Sequence, residues 1–203
     1  MRLRVVPTVS LLLGTCLVAL LAYGVLAKST SKSIDNGIGA GRPMLAPGFS
    51  LPPLKPPIPL AASDGVRKFT AAAEDGTVNL TELRGTPIVL NIWASWCDPC
   101  QKEAPTLRRG WASARNAGVL FLGLDIQDTP SDAQAFIEGF RLTYPSVRDK
   151  GRDVISRYGA TGIPETYFIS RPGTVVAHVP GVITAGQLAR GVDAARRGVA
   201  VRL

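Results

Sequence analysis

The chain has 203 residues, of which 23 are lysine or arginine and 15 are aspartate or glutamate, for a formal charge of +8. That length suits one domain with some excess, and the scattered basic residues form no stripe with interleaved aromatics, which excludes nucleic acid as a partner. With three cysteines and one histidine, His178, a closed four-ligand Cys/His zinc site would have to use every one of them, so neither a metal nor another cofactor is expected.

The first element is apolar. Residues 5–27 are 23 residues without a charge, flanked by Arg2 and Arg4 before and by Lys28 and Lys32 after. At about 1.5 Å per residue such a helix crosses a hydrocarbon core of about 30 Å. The reading is a signal anchor over residues 1–27. A cleaved signal ending at Val25-Leu26-Ala27 is the alternative, and a lipid-anchored Cys16 a weaker third, because Thr15 precedes it and the apolar run continues past it. Arg2 and Arg4 keep the short end in the cytoplasm, so everything after Ala27 is expected on the extracytoplasmic side of a single-pass cytoplasmic-membrane protein.

Residues 28–60 hold seven of the 16 prolines, with Gly37, Gly39, Gly41 and Gly48 between them, and are expected to form an extended tether. Phe49-Ser50-Leu51 is the exception, a short apolar-polar-apolar run that can add an edge strand from about Ala46 onward. Residues 61–203, 143 in number, suffice for one buried core. Pro87 to Ala94 reads as a central strand covered on both faces, and Gly118 to Ile126 as a second; the helical spacing between them makes a parallel βαβ unit. Ser131 to Leu142 and Asp153 to Tyr158 read as helices. Thr166 to Ile169 and Val175 to Val179 read as an antiparallel hairpin turned at Pro172-Gly173, followed by a helix from Thr184 to Arg197 capped by Thr184.

Trp96-Cys97-Asp98-Pro99-Cys100 stands just past the central strand and opens the next helix. A Cys-x-x-Cys pair in a βαβ unit is a redox signature, whereas zinc would need a second pair. At a helix N-terminus the unpaired N–H groups and the dipole favour a thiolate and lower its pKa from about 8.5. Cys97 is therefore the expected nucleophile and Cys100, one turn along, the thiol that resolves the mixed disulfide. Pro99 suits a first helical turn, where its missing donor has no partner to lose. The bland alternative is a permanent structural disulfide in an exported protein.

Gly162-Ile163-Pro164-Glu165-Thr166 precedes the hairpin, 65 residues after Cys97. This combination resembles the thioredoxin superfamily. It is most similar to the membrane-anchored TlpA/ResA/CcmG(DsbE)-like branch of bacterial extracytoplasmic thiol-disulfide oxidoreductases. The likeness runs through Ala46 to Leu51, Val89 to Cys97, Glu103-Ala104-Pro105 and Pro164 to Ile169, and covers about residues 46–195. It implies an α/β thioredoxin-like fold, a central mixed sheet flanked by helices, behind an N-terminal transmembrane anchor. It further implies that Pro164 is a cis-proline beside the cysteine pair, that the Ile163 backbone pairs with substrate, and that Glu103 and Glu165 modulate cysteine titration. Without the resemblance, Pro164 is a turn proline, Glu103 a solvated first-turn carboxylate and Glu165 an edge-strand charge. Asn91 departs from the pattern, standing where thioredoxin carries a buried aspartate, so proton transfer to the second cysteine falls to a glutamate or to water. The stretch Lys55 to Gly76 is longer and less regular than the family's first hairpin, and its strands cannot be placed.

The expected function is reduction of disulfides in exported proteins, as in cytochrome c maturation, by a monomer fed with reducing equivalents from a membrane electron donor. The alternatives are the same chemistry run as a disulfide-forming oxidase, toward which Ile163 speaks little because it resembles the reducing thioredoxins, and a copper-carrying module using Cys97, Cys100 and His178.

Overall fold

The structure, a computed structural model, describes residues 14–18, 30–56 and 58–203. The anchor expected over 1–27 lies outside these apart from 14–18, which are helical and exposed; among the described residues no helix is long and apolar enough to cross a membrane.

In chain order the elements are α1 (Thr30–Gly39), β1 (Met44–Leu45), β2 (Ser50–Leu51), α2 (Asp64–Ala72), β3 (Val78–Asn79), β4 (Ile88–Trp93), α3 (Asp98–Ala114), β5 (Leu120–Ile126), α4 (Pro130–Gly139), β6 (Ser146–Asp149), α5 (Asp153–Tyr158), β7 (Glu165–Ile169), β8 (Thr174–Pro180) and α6 (Ala185–Arg197). Six strands form one mixed sheet in the order β1-β8-β7-β4-β5-β6. The β4–β5 and β5–β6 pairs are parallel, and β4–β7, β7–β8 and β8–β1 are antiparallel. This is the α/β architecture the sequence predicts, a central mixed sheet flanked by helices.

Every residue of β4, β5 and β7 is buried, which is why β4 and β5 are nearly continuous apolar runs without alternation. One face of the sheet carries α3 and α6. There α6 approaches β7 so closely that a Cβ added at Gly191 would lie 2.3 Å from the Phe168 ring. Helix α6 begins in a capping box, with Thr184 Oγ1 accepting from the Gln187 N–H while the Gln187 side chain accepts from the Thr184 N–H. On α4, Phe136 stacks on Trp93 at 4.5 Å between ring centroids.

The tether expected over 28–60 is a correction. Among its described residues this stretch packs on the domain at several points: α1 buries Ile34 and Ile38 at 1% and 6% exposure, and Phe49 and Leu54 are also buried. The reason is local. Residues 30–39 contain no proline, and Ile34 and Ile38 are four apart, so one helix face can be apolar. The prolines cluster later, at 52, 53 and 56, where an extended segment crosses β6 and the Leu54 N–H donates to the Ser146 carbonyl at 2.8 Å. Ile34→Ala is expected to lower the free energy of unfolding by about 3 kcal/mol, the cost of a cavity under a docked helix, measured by chemical denaturation.

The edge strand expected near Phe49 is placed differently as well. Ser50–Leu51 pairs with Val78–Asn79 in a separate two-stranded sheet, and β1 is what extends the main sheet. Among the described residues between Lys55 and Gly76 there is no strand; Ser63 caps α2 there by accepting the Val66 N–H at 3.2 Å. Strand β6 has no counterpart in the sequence reading.

Candidate active site

Strand β4 ends at Trp93, and after three intervening residues Cys97 caps α3, so the Trp96–Cys100 segment sits at the carboxyl edge of the parallel strands. Cys97 is the N-cap of α3 and its Sγ accepts the Cys100 N–H at 3.1 Å. That contact places the first cysteine where the helix dipole stabilises negative charge. The two cysteines form a disulfide. Both are nearly covered, at 4% and 1% exposure, while Trp96 is 57% exposed and Asp98 and Pro99 face solvent beside it.

The loop before β7 closes the site from the other side. The Ile163–Pro164 bond is cis and Pro164 is buried. The Ile163 carbonyl oxygen lies 3.7 Å from Cys97 Sγ. Pro164 and the Ile163 backbone are thus brought to the cysteine pair, as the resemblance implies.

Glu103 is buried at 1% exposure on the inner face of α3, one turn past Cys100, and is no solvated first-turn carboxylate. Its Oε1 accepts from Asn91 Nδ2 at 2.8 Å and its Oε2 from the Ile183 N–H at 2.9 Å. Burial outweighs these two donors and pushes its pKa up from 4.5 to about 7. Asn91, which also donates to Thr166 Oγ1 at 3.1 Å, therefore joins the glutamate to the centre of the sheet.

Glu165 does not turn to the cysteines, nor is it an edge-strand charge, since β7 lies inside the sheet. Its Oε1 accepts the N–H groups of Thr161 and Gly162 at 3.0 and 3.4 Å, in the loop that carries Ile163 and Pro164. Its Oε2 accepts from the Tyr167 hydroxyl at 2.6 Å and contacts His178 Nε2 at 2.9 Å. Burial alone would raise its pKa, but these partners hold it below the usual carboxylate value. His178 Nδ1 lies 2.9 Å from Asp35 Oδ1 on α1. Both ring nitrogens are thereby occupied by carboxylates, away from the role of copper ligand beside the cysteines.

The sequence reading missed a clamp on the loop before Cys97. The Ser95 N–H and hydroxyl both donate to Asp128, at 2.6 and 2.8 Å. The neighbouring Asp125 is fully buried, and its burial together with the Asp128 charge pushes its pKa up to about 8 against the pull of Arg148, 3.7 Å away. Asp128 lies 33 residues from Ser95 with no motif to join them, so only the folded chain shows the contact.

A cysteine pair at a helix N-terminus, facing a cis-proline loop across the end of a mixed sheet, defines a thioredoxin-fold protein of the thiol-disulfide type. Residues 62–178 match the AhpC/TSA family, and the chain belongs to it. It is 32% identical to the thiol-disulfide oxidoreductase ResA of Oceanobacillus iheyensis over 61% of this chain and 64% of that one, and so spans a little under two thirds of that relative. Among solved structures it is similar to a secreted Mycobacterium tuberculosis disulfide oxidoreductase homologous to E. coli DsbE, at 26% identity and a TM-score of 0.53 over 59% of this chain and 89% of that one. A thiol:disulfide interchange protein of Chlorobium tepidum shares the fold at 22% identity, with a TM-score of 0.58 over 76% and 97% of the two chains.

Proposed function

We propose that this protein is a thiol-disulfide oxidoreductase that reduces disulfides of exported proteins through Cys97 and Cys100. The observation that carries this reading is the placement of Cys97 Sγ, within 3.1 Å of the Cys100 N–H and 3.7 Å of the Ile163 carbonyl, at the mouth of the site. In the dithiol form the Cys97 thiolate attacks one sulfur of the substrate disulfide, and the substrate S–S bond breaks as a Cys97–substrate disulfide forms. The released substrate thiolate takes a proton. Cys100, deprotonated, then attacks Cys97 Sγ, forming the internal disulfide and releasing the second substrate thiol. Two electrons pass from the pair to the substrate, and a membrane electron donor restores the dithiol.

Trp96, Asp98 and Pro99 form the exposed rim on which a substrate chain rests, and the Ile163 backbone pairs with it. The uncharged run at residues 5–27 supports a single-pass anchor with the domain on the extracytoplasmic side, and the secreted mycobacterial relative is consistent with that side of the membrane. Resemblance to the TlpA/ResA/CcmG-like branch, on the residues quoted above, supports apocytochrome c as one substrate.

The test is the reduction potential of the full-length protein, equilibrated against glutathione and dithiothreitol. A reductant should lie below about −200 mV. A value near about −120 mV would instead make the protein an oxidant.

A further inference from the structure

The Asp35–His178–Glu165 chain ties α1 to the β7–β8 hairpin, with His178 lying 143 residues from Asp35 and 13 from Glu165. Each ring nitrogen of His178 faces a carboxylate oxygen at 2.9 Å. A carboxylate only accepts, so both contacts are hydrogen bonds when both nitrogens carry protons, that is, when the ring is an imidazolium. On the far side of Glu165 the other carboxylate oxygen holds the Thr161 and Gly162 N–H groups, two and one residues before Ile163. The ring of Tyr167 stacks on the imidazole at 4.2 Å, which fixes its plane.

We propose that Asp35 and His178 are positioning residues of the disulfide-exchange site: by anchoring the Glu165 carboxylate they hold the loop of Thr161 to Pro164 against Cys97, and they tie that loop to α1. This rests on the reading of Cys97 and Cys100 as a disulfide-exchange pair. Loss of the His178 proton turns one ring nitrogen into a lone pair facing a carboxylate, so either Glu165 loses a donor or α1 loses its hold. The groups that set this proton are Asp35 from α1 and Glu165 from β7; the Tyr167 hydroxyl donates to the same Glu165 oxygen, and Arg202 of the C-terminal segment lines the same cleft. Burial pulls the imidazole pKa down, but the two carboxylates pull it further up, above its ordinary value. Because the folded value is raised, the link is complete below about pH 6.5 and is lost as pH rises through the folded value.

His178 is the single histidine, so its ring resonances in the full-length protein need no assignment. Asp35 is half exposed, with 52% of its side-chain area open to solvent, so Asp35→Asn leaves the core untouched. In that variant the His178 titration should move down toward about 6.5, and KM for a disulfide-bonded peptide at neutral pH should rise about fivefold, the effect expected on losing one charge-assisted hydrogen bond in the relay. Its kcat and the alkylation rate of reduced Cys97 by iodoacetamide, which needs no loop, should stay within about twofold. Asp35→Glu should restore KM. An unmoved His178 titration, or an unmoved KM in a protein whose titration has shifted, overturns the proposal. Failure of the wild-type protein to reduce the peptide would overturn the disulfide-exchange reading itself, and is told apart by preceding any substitution.

Discussion

Cys97→Ser is expected to reduce disulfide turnover by at least about 1000-fold, because a serine hydroxyl forms no anion at neutral pH and only the thiolate attacks. Cys100→Ser should behave differently. Its Cys97 still attacks, but nothing resolves the product, so the protein should accumulate as a mixed disulfide with substrate after a single turnover. Burial fits these roles: Cys97 caps the helix at the site mouth, and Cys100 lies inside the first turn at 1% exposure. An insulin-type reduction assay with nonreducing mass analysis reads both outcomes. Multi-turnover activity in Cys100→Ser, or faster alkylation of Cys100 than of Cys97 in the reduced protein, would reverse the assignment.

Glu103→Gln should slow turnover at neutral pH by about 100-fold, the scale of a lost general acid-base group. With a pKa near 7, Glu103 both holds and releases a proton in the working range, one helical turn from Cys100. Its charge also opposes thiolate formation, so the variant should show a lower Cys97 pKa in alkylation against pH, with a weaker nucleophile as the result. Stability carries a second signature. The folded-state pKa is raised from 4.5 to about 7, so the native state binds this proton more tightly and the wild-type protein loses about 3 kcal/mol as pH rises between those values. Glutamine stays neutral throughout, but its amide presents only one oxygen to the two donors, Asn91 Nδ2 and the Ile183 N–H. The variant should therefore be the less stable protein near about pH 5 and the more stable near about pH 8. Superimposable alkylation curves with equal turnover would make Glu103 a structural carboxyl.

The parallel core was legible because its strands are apolar on both faces. Ile88–Trp93 and Leu120–Ile126 are buried at every position, and runs of that kind have few other places to go. The hairpin of β7 and β8 and the Thr184 cap were legible for equally local reasons, a Pro-Gly turn and a capping hydroxyl. Strand β6 was not, since Ser146–Asp149 is four residues with one apolar side chain, and its place is set by pairing with β5. Residues 30–54 misled because proline and glycine content was averaged over the whole stretch. The two isoleucines of α1 and the proline-free decade around them were outvoted by prolines that lie further on.

At the active site the divide follows distance along the chain. Trp96, Cys97, Asp98, Pro99 and Cys100 are contiguous, and a cysteine pair at a helix start is a local property, so the sequence by itself determined where that pair sits. Resemblance added Pro164, Glu103 and Glu165, but not what surrounds them. Only tertiary structure decided that Glu103 is buried enough to titrate near neutrality, that Asp128 clamps Ser95, and that Glu165 reaches back to Asp35 through His178. The physical reason is the same in each case. Each of these contacts needs a partner that is distant in sequence, 12 positions for Asn91 and Glu103 and 143 for His178 and Asp35, so only folding brings the two together.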